Sequence, residues 1–220
     1  MVKYRRMSVM VVLIGIFFFF TFTGAQAEVK IELKDGKVIS VPVNKQDILS
    51  ISFEDSLATS GGIDWNFETG NLEGWTKTGN AFNFQPTLGD NPTARHRGQP
   101  SNHQGDYWIG GYEKRHSSSD PPGQIQGDGP QGTLTSQPFV ISSQYISFLL
   151  GGGCDLNTER VELLIDGQPV LKATGKCTET MERVRLNVFQ FLGRSAQLRL
   201  IDASGGGWGH INFDDVRFEN

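Results

Sequence analysis

The sequence predicts an all-β protein: a two-sheet antiparallel β-sandwich, jelly-roll-like, preceded by a small three-strand β unit. Three observations predict it. Short runs of alternating apolar and polar residues recur along the chain, as half-buried strands require. Gly, Pro, Asn and Asp punctuate these runs, and the 27 glycines and 9 prolines supply the turns. No stretch carries the sustained 3.6-residue period of a long amphipathic helix.

Residues 1–27 stand apart from the fold. Lys3, Arg5 and Arg6 form a basic start, "MVVLIGIFFFFTF" an apolar core, and Ala25 to Ala27 a small-residue cleavage motif. That order reads as a secretory signal peptide cut after Ala27. The alternative is a retained N-terminal anchor, because the apolar run is long for a leader. Without Lys3, Arg5 and Arg6 the chain keeps 17 Lys+Arg against 24 Asp+Glu, a net charge of −7. Such an acidic protein is a poor partner for nucleic acid or anionic membranes. The expected location is exported: periplasmic, cell-surface or extracellular.

Residues 28–53 read as the small β unit. Val29, Ile31 and Leu33 alternate, Asp35-Gly36 marks a hairpin turn, and Ile39, Val41 and Val43 alternate again. "DILSISF" supplies a third short run. Residues 54–63 are small and polar, as a linker is.

Residues 64–220 make the sandwich. Ile146, Phe148 and Leu150 share one face of a strand, and Val161, Leu163 and Ile165 share another. Asp166-Gly167 marks the tip of the hairpin that follows. Val184, Leu186 and Val188 face inward, as do Ala196, Leu198 and Leu200. "VFQFLG" (Val188 to Gly193) reads as a brief helical crossing. Cys154 and Cys177 flank the hairpin almost symmetrically, so pairing of its strands brings them together as a disulfide; the alternative is two buried thiols. Residues 85–131 break the pattern. They form a long polar loop holding Arg95, His96, Arg97 and His103, with a short strand at Asp106 to Glu113. The loop is either a surface excursion or a binding loop, with Tyr107, Trp108 and Tyr112 available for stacking.

"SGGGWGHINFDDVRF" closes the chain. Ile211 and Phe213 are apolar on one parity, Val216 and Phe218 on the other. A β-bulge at Asp214-Asp215 reconciles the two. Trp208, His210, Asn212 and Asp214 then form a row on the face away from the core. An aromatic ring beside hydrogen-bonding groups suits a sugar, which offers apolar C–H faces and hydroxyls. Arg160, Glu159, Tyr107 and Trp108 join this candidate glycan site. A merely solvated strand face is the alternative. Glu68, Asp214 and Asp215 offer hard oxygens that suit a structural Ca²⁺ joining the two ends of the domain; solvated carboxylates paired with Arg217 are the alternative. Catalysis is disfavoured, since glycoside hydrolysis needs two carboxylates across a cleft and adjacent aspartates point apart. No nucleophile elbow is present.

"FETGNLEGWTKTGNAF", "GTLTSQPFVISSQYISFLLGGG", "VELLIDGQPVLKATG" and "LIDASGGGWGHINFDD" together resemble the family 66 carbohydrate-binding module, the β-sandwich appended to levanases and related family 32 glycoside hydrolases. The resemblance covers most of residues 64–220 and does not include the catalytic β-propeller. It implies a non-catalytic protein that binds a glycan, of fructan type. Two other functions stay open: an envelope interaction or adhesion module with a protein partner, and a small glycosidase.

Overall fold

The computed structural model describes residues 62–220, together with the backbone of four strands nearer the N-terminus. The chain divides into two units, Met1–Leu57 and Ala58–Asn220. In the first, β1 (Met10–Leu13), β2 (Ile16–Thr23), β3 (Gln26–Glu32) and β4 (Val38–Asn44) form one antiparallel sheet in that order. The β3–β4 register sets Val29 opposite Val41 and Ile31 opposite Ile39, which is the pairing expected of two strands in phase across the Asp35-Gly36 turn. β1 and β2 come from the segment read as the leader. The third predicted strand, residues 47–53, lies outside the described residues, as does most of the 54–63 linker.

The second unit is a two-sheet antiparallel sandwich. Its elements are β5 (Trp75–Gly79), β6 (Thr87–Leu88), α1 (Asn91–Ala94), β7 (Tyr107–Gly110), β8 (Gly132–Ser136), β9 (Phe139–Val140), β10 (Tyr145–Gly152), β11 (Glu159–Ile165), β12 (Gln168–Ala173), β13 (Thr178–Asn187), a 3₁₀ turn (Phe189–Phe191), β14 (Ser195–Asp202) and β15 (Ile211–Glu219). One sheet has the order β13-β10-β15-β7-β6, and the other β12-β11-β14-β8-β5 with β9 against β14. Between them lie Ile146, Phe148, Leu150, Val161, Leu163, Ile165, Ala196, Leu198, Leu200, Ile211 and Phe213. Those are the rows that alternation assigned to the interior. Trp75, Phe67 and Phe213 meet ring to ring within it, with Phe67 and Trp75 centroids 5.5 Å apart.

The slip in β15 is present. Ser147 pairs with Arg217 and Leu149 with Asp214, so β15 spends one residue more than β10. Asp215 carries the left-handed φ of 49° that such a bulge needs. Val216 thereby returns to the core, while Phe218 is partly exposed against Trp65. Glycines allow β10 and β15 to close up: a Cβ on Gly152 would stand 2.6 Å from the His210 carbonyl oxygen. Cys154 and Cys177 form the disulfide, with Cα atoms 5.0 Å apart at the base of the β11–β12 hairpin.

Candidate functional site

The outer row of β15 is covered. His210, Asn212 and Asp214 are at most 2% exposed, which corrects the expectation of an open polar face. The long loop lies over them and is held there by charge. Asp214 Oδ2 accepts the Gln104 N–H at 2.7 Å. Asp128 Oδ1 lies 2.7 Å from His210 Nδ1. Arg95 Nη2 donates to Glu179 Oε1 at 2.5 Å, and Asn212 Nδ2 donates to Glu179 Oε2 at 3.1 Å from beneath.

Local structure sets Arg95 in place. Asp90 caps the single turn of α1, with Pro92 in its first turn, and Arg95 follows as the C-cap. Its guanidinium also bonds the fully buried Glu113 at 2.9 and 3.1 Å, and Asn91 holds the other Glu113 oxygen. Burial raises the Glu113 pKa, against the pull of Arg95 and Asn91.

At the N-terminal end of the row the cover opens into a cavity of about 250 Å³, lined by Trp208, His210, Gly207, Tyr112, Arg95, Arg97, Asp128 and Glu179. Trp208 is half-buried, with a left-handed φ of 63°. Its ring lies 5.5 Å from His210, and the Arg97 guanidinium stands 5.2 Å over it. Arg95 stands 4.6 Å over Tyr112, whose ring is 5.3 Å from His210. Planar cations over aromatic faces keep both pairs in place.

The two acids and the imidazole act as a unit. Burial alone would lower the His210 pKa, but Asp128 and Glu179 beside it raise it to about 9. Burial alone would raise Glu179, but His210 and Arg95 hold it at about 2. The cavity wall therefore carries a charged imidazolium between two carboxylates.

The structure brings together some of the candidate residues and separates others. Trp208 and His210 line the cavity, while Asn212 lies behind it as a support for Glu179. Trp108 is fully buried, its indole N–H donating to the Gly89 carbonyl at 2.9 Å and its ring stacked on His103. Tyr107 packs against the core and over Gly70. Trp108 is not free to stack on a ligand, and Tyr107 does not line the cavity; the pattern "DYWIGG" marks a strand without telling its two faces apart. Arg160 belongs to a charge cluster on the second sheet, 2.7 Å from Glu162, which also bonds Arg199. Glu159 is buried at the end of β11. Asp128 and Glu179 were missed. One trace of Glu179's setting was legible: Met181, out of phase with Val184 and Leu186, is fully buried, and its N–H donates to the Ser101 carbonyl of the loop. Asp128 sits in "GDGP" and carried no signal.

The three carboxylates proposed for calcium divide. Asp215 is engaged by Arg183 and by Arg217, the latter at 2.6 Å. Glu68 and Asp214 instead grip the same loop, Glu68 accepting the N–H groups of Asp106 and Tyr107 at 2.9–3.0 Å. Burial raises the Asp214 pKa to about 8, the Asp215 and Glu68 charges add to it, and N–H donors from Gln104 and Asp215 oppose it. The oxygens of Glu68 and Asp214 accept backbone N–H groups, whereas Asp215 is committed to arginines; among the described residues no three His, Cys, Asp or Glu side chains converge as a ready metal cluster.

No family model matches the chain. A protein of Aspergillus rugulosus named as a glycosyl hydrolase, ecdE, is 32% identical over 147 residues, covering 67% of this chain. The chain spans about a fifth, 19%, of that relative's length. Among solved structures it is similar to the module TmCBM61 in complex with β-1,4-galactotriose, at 16% identity and a TM-score of 0.44, covering 71% of this chain and 95% of that one. A cleaved adhesin domain of Lys-gingipain from Porphyromonas gingivalis gives 11% identity and a TM-score of 0.36, covering 71% and 97%.

Proposed function

We propose that the chain is an exported, non-catalytic carbohydrate-binding protein that takes the end of a glycan, of fructan type, into the cavity under the long loop. The observation that carries this is Trp208, half-exposed at the cavity wall between Arg97 and His210. An aromatic face ringed by fixed donors and acceptors matches the mixed surface of a sugar. At about 250 Å³ the space lies below the roughly 300–1000 Å³ of drug-sized pockets. It suits one terminal residue rather than a length of polymer. The similarity to the glycosyl hydrolase of Aspergillus rugulosus supports a sugar-related role.

A hydrolytic role fits less well. A glycosidase needs a carboxyl group held protonated to donate to the leaving oxygen, and the buried cavity carboxylate, Glu179, is held deprotonated. The disulfide supports export, since such bonds persist in oxidising compartments. In this reading the leader is removed after Ala27, and Glu68 and Asp214 hold a structural Ca²⁺ that fixes the loop from Gln104 to Tyr107. Affinity electrophoresis in gels containing levan or inulin tests the binding. Retardation on either supports it; unretarded migration of folded protein on both contradicts the fructan assignment.

A further inference from the structure

We infer that Glu159 and Asp202 form a second cation site, for a hard divalent ion such as Ca²⁺, beneath the loop that carries Trp208. The two residues are register partners at the ends of β11 and β14. Each continues an inward row by one step: Glu159 after Val161, Leu163 and Ile165, and Asp202 after Leu198 and Leu200. At that end of the sandwich the apolar core gives way to two carboxyl groups, only 3% and 2% exposed.

These carboxylates lack the partners that burial demands. Glu159 Oε1 and Asp202 Oδ1 are both buried without a hydrogen bond. Thr158 donates to the other Glu159 oxygen at 2.5 Å. His210, whose charge acts on Asp202, already has a carboxylate at each ring nitrogen, Asp128 at 2.7 Å and Glu179 at 3.5 Å. Backbone N–H groups of Ser204 and Ala203 face Glu159, and the other neighbours add electron pairs. Asp128 adds negative charge near Asp202. The Trp208 carbonyl oxygen lies beside the stem of the Glu159 side chain: it and Glu159 Cγ are 2.4 and 2.7 Å from where a Cβ on Gly153 would stand. Two carboxylates and a carbonyl are ligands that Ca²⁺ takes, with water completing its usual 6–8 oxygens. Burial and the Glu159 and Asp128 charges raise the Asp202 pKa to about 8, with His210 opposing them. The ion ties the ends of β11 and β14 to the segment from Ala203 to Gly209, and so steadies the Trp208 wall of the cavity.

Calcium alone, titrated calorimetrically into the chelator-stripped full chain, tests this without any glycan. In Asp202→Asn, one class of bound ion is lost or weakened at least tenfold, while Asp214→Asn leaves that class intact. An unchanged calcium isotherm in Asp202→Asn overturns the site, as does a wild-type chain that binds no calcium, which is the outcome if a shared proton neutralises the pair. Terbium soaked into wild-type crystals reads the same question without a variant. An anomalous peak between Glu159 and Asp202 is expected, and its absence there overturns the inference.

Discussion

His210 Nδ1 lies 2.7 Å from Asp128 Oδ1. That contact joins the last strand to the long loop across 82 residues of sequence. Arg95–Glu179 ties β13 to the same loop across 84. The cavity thus exists because charged side chains, rather than an apolar seam, hold the loop on the sheet.

Stability should follow the titration of this cluster. His210 has its pKa raised from 6.5 to about 9 on folding. Its contribution is full below pH 6.5 and is lost as pH rises through about 9. Glu179 is lowered from 4.5 to about 2, so its contribution is full above pH 4.5 and is lost as pH falls toward 2. Both are present between these limits. Melting temperature measured against pH is expected to fall on the alkaline side from pH 6.5 through 9. Asp202 and Asp214, raised to about 8, share in that fall up to about pH 8, so His210→Gln is expected to reduce it and to remove the part above pH 8.

Glu179→Gln should be costly. It removes the charge facing Arg95 and His210 from a position only 2% exposed. Breaking a buried pair on one side costs about 3–5 kcal/mol; Glu113 and Asp128 keep partial compensation here, so a loss of about 2–4 kcal/mol in urea unfolding is expected. Asp166→Asn breaks the exposed Arg194–Asp166 pair and should cost about 1 kcal/mol or less.

The disulfide should matter to stability and little to binding. Cys154 and Cys177 enclose a separation of 23 residues, for which chain entropy gives about 3 kcal/mol. The double Cys→Ala variant is expected to lose about that much in denaturant titration, with glycan retention in native gels unchanged.

Much of the sandwich was legible because its strands are half-buried and alternate cleanly. The β15 slip could be read from Ile211, Phe213 and Val216 alone, since a change of parity has few other causes. The disulfide followed from two cysteines flanking a hairpin. The site was only half legible. Trp208 and His210, which line the cavity, were legible as a pair because they lie close together near the chain end, beside an evident strand. Glu179 and Asp128 were not, because what sets them at the cavity is long-range ion pairing, and such pairs leave no periodicity. The same lack of long-range information hid the loop's position, so a row read as open is covered.

Trp108 separates the two kinds of tryptophan. Trp108→Ala empties a fully buried position and should cost about 3–5 kcal/mol, measurable as a large drop in melting temperature. Trp208→Ala removes a half-exposed wall and should leave melting close to wild type.

The most direct test of the central claim is calorimetric titration of a short levan oligosaccharide into wild-type protein and folded Trp208→Ala. Saturable binding by wild type is predicted, weakened about tenfold in Trp208→Ala, the worth of roughly 1.4 kcal/mol of aromatic contact. Equal binding by both proteins would place the glycan elsewhere and contradict the account.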